Sequence, residues 1–391
     1  MNYYETALAQ KSETIAHRRY FHANAEVGLN LPKTCAYITQ ALHKYGLNPQ
    51  PCGHGITATI GQGKKCILLR ADMDALPMRE ESGEPFAYPT GTEAHTCGHD
   101  LHAAMLLTAA AMLKENENQL QGTVKLMFQP AEETLQGAQD MVRNGILSNP
   151  KPDAALACHV TAGHAPLGTY LYNSGGTMMF STDSFKIHIT GKGAHGAYPH
   201  SSIDPINIAV HIYLALEALI AREADPSKAC IITIGSFHAG SVSNVIPDTA
   251  LMEGSIRAND STARRHLVQR MQEVASAVAH TYGGRAEVEF ISQCPPLICD
   301  PKLMDEFVSY IQELPIPGAY PSPDISASAS EDFSIIAEQI PSAFFYLSAG
   351  YPDERGDALA HNPEVRFNED VCPIGAAILA HCAQRWLENN L

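Results

Sequence analysis

No block of lysine and arginine interrupts the 391-residue sequence, in which 42 acidic residues outnumber 26 basic ones. The formal charge of -16 leaves no basic footprint for a nucleic-acid partner or an anionic membrane surface. Also missing are an apolar core of signal-peptide length near the start and any run of about 18 apolar residues. The expectation is a cytoplasmic protein with no membrane partner. No low-complexity tract occurs and no repeat with a period of about 20–50 residues, which excludes a solenoid. Ten cysteines are scattered without framework spacing, and paired C-x-x-C knuckles of a structural zinc site are lacking. They read as free thiols.

What is present is 45% hydrophobic and 17% charged, the balance of a soluble globular chain. Its length favours two domains over one core. Residues 1–20 suit a surface helix, and 34–47 a second helix ending near Gly46. Residues 64–77 read as a buried strand stopped by Pro77. Residues 100–115 form a helix with Asp100 as a plausible N-cap. A strand over 123–130, a helix near 134–145 and a strand over 153–160 continue the alternation. Strands alternating with helices indicate an α/β layer with a largely parallel sheet, whose sites collect at the carboxyl ends of strands.

The pattern changes near 183. An alternating strand, a helix over 205–222, two strands, a helix over 261–282 and a strand over 286–292 follow. That β-α-β-β-α-β order is the ferredoxin-like plan. The organisation expected is a discontinuous catalytic α/β domain, 1–182 and 293–391, with an inserted ferredoxin-like α+β domain over 183–292. The final helix is expected near 372–388.

Five clusters of metal-ligand type fall just past the strand ends. "TCGHD" sets Cys97 and His99 before a helix N-terminus, whose positive end would favour a thiolate at Cys97. The bland account is a turn with a buried cysteine. "QPAEET" places Glu132 and Glu133 side by side. They are either a solvated helix start or a pair in which one binds metal while the other handles protons. "ACHV" ends a strand on His159, "RADMDALP" supplies Asp72 and Asp74, and "LAHNPEV" supplies His361. Each alone could be structural, but together they are hard to ascribe to coincidence. The mixed Cys, His and Glu donors suit zinc, nickel, cobalt or manganese. "GKGAHG" (191–196) matches a dinucleotide fingerprint, but no helix opens within it, so it is set aside.

In this order and spacing the sequence resembles the amidohydrolase/aminoacylase branch of the M20 metallopeptidases. The likeness runs from "RRYFHANAEVG" through "LLRADMDALP", "HTCGHDLHAA", "FQPAEETLQGA", "GKGAHGAYPH" and "SVSNVIPDTALMEGSIRA" to "HNPEVRFNED". The resemblance implies a two-domain, zinc-peptidase-like fold whose inserted lid often dimerises. It implies two divalent metal ions held by Cys97, His99, Glu133, His159 and His361, with Cys97 bridging. It implies Asp74 as the orienting aspartate and Glu132 as general base. From the lid it implies His195 and Asn244 at the oxyanion and Arg257 at a substrate carboxylate. The activity implied is hydrolysis of N-acyl amino acids, with a dipeptidase or carboxypeptidase of the same superfamily as the alternative. Ala25 and Thr96 replace the usual proline and alanine of their motifs. "HVTAGHAPLGTY" departs further, with an additional His164 that could reshape the acyl pocket.

Overall fold

The computed structural model describes residues 1–88 and 91–390 and divides them into two compact units. The first comprises Met1–Met178, Ile298–Ser326 and the chain from Asp332 onward. The second comprises Met179–Leu297 with a short later segment, Ala327–Glu331.

The first unit is built on an eight-stranded sheet. Its strands are β1 (Gln50–Cys52), β2 (Gly55–Gly61), β3 (Cys66–Asp72), β4 (Thr123–Gln129), β5 (Ala154–Thr161), β6 (Tyr170–Leu171), β7 (Pro321–Ser322) and β8 (Ser342–Ser348). Their spatial order is β1-β2-β4-β3-β5-β8-β6-β7. The central four, β4, β3, β5 and β8, run parallel. Every residue of β3 and β4 is buried, as a sheet covered on both faces requires. Lys125, inside β4, is satisfied by the carbonyls of Ser148 and Pro150 at 2.6 and 3.2 Å.

The covering helices are α1 (Tyr3–Ala9), α2 (Lys11–Ala23), α3 (Pro32–Lys44), α4 (His99–Glu115), α5 (Gly137–Arg143), α6 (Pro301–Glu313) and α7 (Cys372–Asn389). The helix expected over 1–20 is thus two, broken at Gln10, which caps one and opens the other. Helix α4 is buried on nearly all sides and packs on α7. There the approach is so close that a Cβ on Gly375 would meet Met105 Sδ at 2.1 Å. Asp100 does not cap α4. Gly98 takes the cap position at φ 87°, and a Cβ there would lie 2.4 Å from Val160 Cγ2. Asp100 lies inside the first turn and turns instead to Arg18 and His22 of α2.

The second unit has a four-stranded antiparallel sheet in the order Cys230–Ala239, Thr249–Ala258, Thr182–Thr190, Arg285–Cys294. With the helices Pro205–Arg222 and Ser261–Thr281 it completes the ferredoxin-like β-α-β-β-α-β order. The helices bury Ile208, Ile212, Leu216, Leu267 and Met271 against Phe185, Ile187 and Met252. Pro205–Arg222 is long and apolar enough to cross a membrane by length and composition alone, although it is not an unbroken apolar run. The face it buries is the core of this unit, and polar Asn207, His211 and Glu217 hide the run in the sequence.

Candidate metal centre

The carboxyl ends of β3, β4 and β5 meet the N-terminus of α4 in the first unit, and the five sequence clusters converge there. Cys97 Sγ lies 3.5 Å from His159 Nε2. His99 Nε2 stands 3.9 Å from both Glu132 Oε2 and Glu133 Oε1, and His361 Nε2 stands 3.4 Å from Glu133 Oε1. The ligand atoms fall into overlapping groups, Cys97–His99–His159, Cys97–Glu133–His361 and His99–Glu132–Glu133, each within 4.8 Å.

Backbone geometry aims these groups. Asp74 accepts the N–H of Glu132 at 3.0 Å on one oxygen and that of Glu133 at 3.2 Å on the other. The turn before them holds Ala131 at φ 53°, a left-handed conformation a non-glycine residue adopts only under constraint. His361 is likewise left-handed, at φ 66°, and its N–H donates to the Thr96 carbonyl at 3.0 Å. The last histidine is therefore tied to the segment that presents Cys97. Its side chain is 53% exposed, whereas His99 is fully buried.

Burial and charge oppose one another here. Burial pushes the Cys97 thiol up to about 12, although His99 pulls the other way. The thiolate expected from the helix terminus is thus overruled by desolvation unless a cation sits beside it. Burial works against a charge on His99, yet Asp72 and Cys97 raise its pKa well above the usual histidine range. Desolvation, with His102 beside it, holds His159 well below that range, as a neutral donor. Burial works against a charge on Glu133, yet the His361 ring beside it lowers its pKa, and Glu133 raises His361 in return.

Both ring nitrogens of His99 and one oxygen of Glu133 are buried without a hydrogen-bond partner among the described residues. Orphaned donors of this kind, ringed by carboxylates and a thiol, fit a divalent cation. Imidazole, thiol and carboxylate together suit a transition metal rather than an all-oxygen calcium or magnesium cage.

The remaining residues lie in the second unit. His195 pairs with Val245 in a short two-stranded ribbon, and the Asn244 carbonyl accepts the Gly196 N–H at 2.8 Å, so those two are neighbours. Arg257 Nη1 donates to Ser328 O at 3.1 Å and Ser330 Oγ at 3.0 Å. After "GKGAHG" no α-helix begins until Pro205.

The sequence reading missed two connections. Asp72 bonds Arg70 and His102, and His102 bonds Asp72 and Val160. The three-residue step from His99 to His102, which puts both on one helix face, was the available signal. His95 is buried with neither nitrogen partnered among the described residues, and burial pushes its pKa down to about 4.

Residues 68–385 match the profile of peptidase family M20/M25/M40. The chain belongs to that family. N-acetyl-L-cysteine deacetylase of Bacillus subtilis is 34% identical over 388 residues, 97% of this chain and 89% of that one. IAA-amino acid hydrolase ILR1-like 2 of Arabidopsis thaliana is 37% identical over 381 residues, covering 95% and 85%. Thermostable carboxypeptidase 2 of Saccharolobus solfataricus is 34% identical over 382 residues, covering 93% and 92%. A solved Bacillus subtilis structure described as a dinuclear metal binding peptidase of the M20 family superposes with TM-score 0.81. It is 28% identical and covers 97% of this chain and 99% of that one. Within the M20 family the chain sits in the aminoacylase/amidohydrolase branch and is a hydrolase of amide bonds.

Proposed function

We propose that this M20 enzyme hydrolyses N-acyl amino acids to a carboxylate and a free amino acid. The observation that carries the reading is the convergence of Cys97, His99, Glu133, His159 and His361 around Glu132 at the strand ends. Those five would hold two divalent ions, with Cys97 the shared ligand. Zinc, manganese, nickel and cobalt all suit the donors. When bound, such ions supply Lewis acidity to the scissile carbonyl and to the attacking water.

The chain's own residues do the rest. Asp74 clamps the Glu132 and Glu133 amides, so one carboxylate binds while its neighbour handles protons. Glu132 takes a proton from water on its carboxylate and delivers it to the leaving nitrogen. His195 and Asn244 are assigned to the oxyanion and Arg257 to the substrate's α-carboxylate, through a charge-assisted contact. The catalytic role belongs to the first unit, and a lid role to the second.

The second unit is also assigned the contact of a homodimer. Ile206, Val210, Tyr213 and Leu214 leave an apolar stripe exposed on the helix Pro205–Arg222, at the one-turn spacing that makes a continuous face. Leu214→Asp should shift the mass measured by light scattering from dimer to monomer. A wild-type mass for that variant would reject this face.

The deciding experiment is a hydrolysis screen of N-acetyl, N-benzoyl and longer N-acyl amino acids beside dipeptides, with several divalent metals. N-acyl amino acids should be cleaved, activity should vanish with a chelator, and it should return on adding metal. Turnover of dipeptides alone would replace this reading with the carboxypeptidase one.

A further inference from the structure

The pairing of β3 with β5 ends at Arg70 and Ala157, although β3 runs on to Asp72 and β5 continues against β8 as far as Thr161. Beyond that last pair the two strands need another way to stay in register, and a side chain provides it. The ring of His102 reaches Asp72 Oδ1 through Nδ1 at 2.5 Å and takes the N–H of Val160 on Nε2 at 2.8 Å. A nitrogen that accepts a backbone N–H carries no proton, so the proton sits on Nδ1 and Asp72 must be the acceptor. Asp72 is held in turn by Arg70 Nη1 at 2.6 Å. Arg70, Asp72 and His102 are all buried.

The chain of contacts does not stop at Val160. Its carbonyl accepts from His159 Nδ1 at 2.7 Å, which fixes the tautomer of His159 and leaves Nε2 as a lone pair facing Cys97. One peptide residue is thus gripped at its N–H by His102 while its C=O aims His159. The rings of His102 and His159 meet edge to face, with centroids 4.5 Å apart.

We infer that His102 is a positioning residue: a neutral imidazole strut between Asp72 and the Val160 amide, which aims His159 into the metal centre. The inference rests on the reading of His159 as a ligand. Groups that orient ligands in this way typically change metal affinity by 10–100-fold when removed. Mere helix packing would instead lower stability and leave affinity alone.

The test is metal affinity by chelator competition, together with the visible spectrum of the cobalt-loaded protein. His102→Leu should weaken binding by about 10–100-fold and change the cobalt ligand-field bands. His102→Gln sets an amide oxygen close to where Nε2 stands and should recover most of that loss. His102→Asn can meet Asp72 but falls short of Val160, and should not. Thr108→Ala, which removes a hydroxyl bonded to Thr14 elsewhere on the same helix, should lower stability without moving affinity. Wild-type affinity in His102→Leu, or equal behaviour of the Gln and Asn variants, overturns the strut. If His159→Ala binds metal as tightly as wild type, the ligand reading fails, and the strut with it. If only the His159 variant loses metal, the ligand reading stands and the strut alone falls.

Discussion

Between the sheet and helices of the second unit, the buried side chains are Phe185, Ile187, Ile212, Met252, Leu267 and their apolar neighbours. At the carboxyl ends of β3, β4 and β5 in the first unit, burial falls on Arg70, Asp72, Asp74, His99, His102 and Glu132. The first arrangement is stable through area removed from water and needs no partner. The second places charges where solvent cannot reach them. It holds only because hydrogen bonds satisfy most of them and, in this reading, a cation satisfies the remainder. Damage to the two regions should therefore show in different measurements.

The largest effect belongs to the polar region. Glu132→Gln should lose roughly 10²–10⁴ in kcat while metal content by elemental analysis stays at the wild-type level. A fully active variant would give the base to another residue. Next, Cys97→Ala should lower metal content and with it activity. Unchanged content would remove the bridging role and weaken the contrast between the regions.

An apolar lesion should do the reverse. Ile187→Ala in the second unit should cost about 2–5 kcal/mol in urea unfolding of that unit, with the metal content of the first unit intact. If metal is lost along with stability, the two regions are not independent.

The smallest effect is a pH dependence in the link between α2 and α4. Burial disfavours a charge on His22, but its hydrogen bonds to Asp100 and Glu80 raise its pKa to about 9. A raised histidine contributes stability that is fully present below its unfolded value near 6.5 and lost as pH rises through about 9. The urea midpoint should fall across that window in the wild type and run flatter in His22→Gln. Parallel slopes would show that His22 is not the group responsible.

Much of this was legible from local pattern. Buried strands such as "CILLRAD" and "TVKLMFQ" announce themselves by composition, and the helix expected over 205–222 opens on Pro205 behind a capping Asp204. Asp72, Asp74, Glu132, Glu133 and His159 were legible because they lie at strand ends, and Cys97 and His99 because they open a helix. Asp100 misled for the same reason. Its position before an apolar run fits an N-cap, and only the nearness of Val160 shows why glycine must stand at the cap instead. At Cys97 the helix terminus is visible in the sequence, while the desolvation that raises its thiol is set by the fold.

The sequence by itself determined the kinds of chemistry available: an amide hydrolase's donors, a carboxylate pair and an inserted α+β unit. Only the tertiary structure decided how the donors are held. His102 and Asp72 stand thirty positions apart in the chain yet are joined by a hydrogen bond, and His361 reaches Glu133 from the far end of the sequence. Periodicity records which residues leave water, because burial repeats with the helix or strand. It does not record which buried groups face one another, and in a low-dielectric interior that pairing sets both their charge and their geometry.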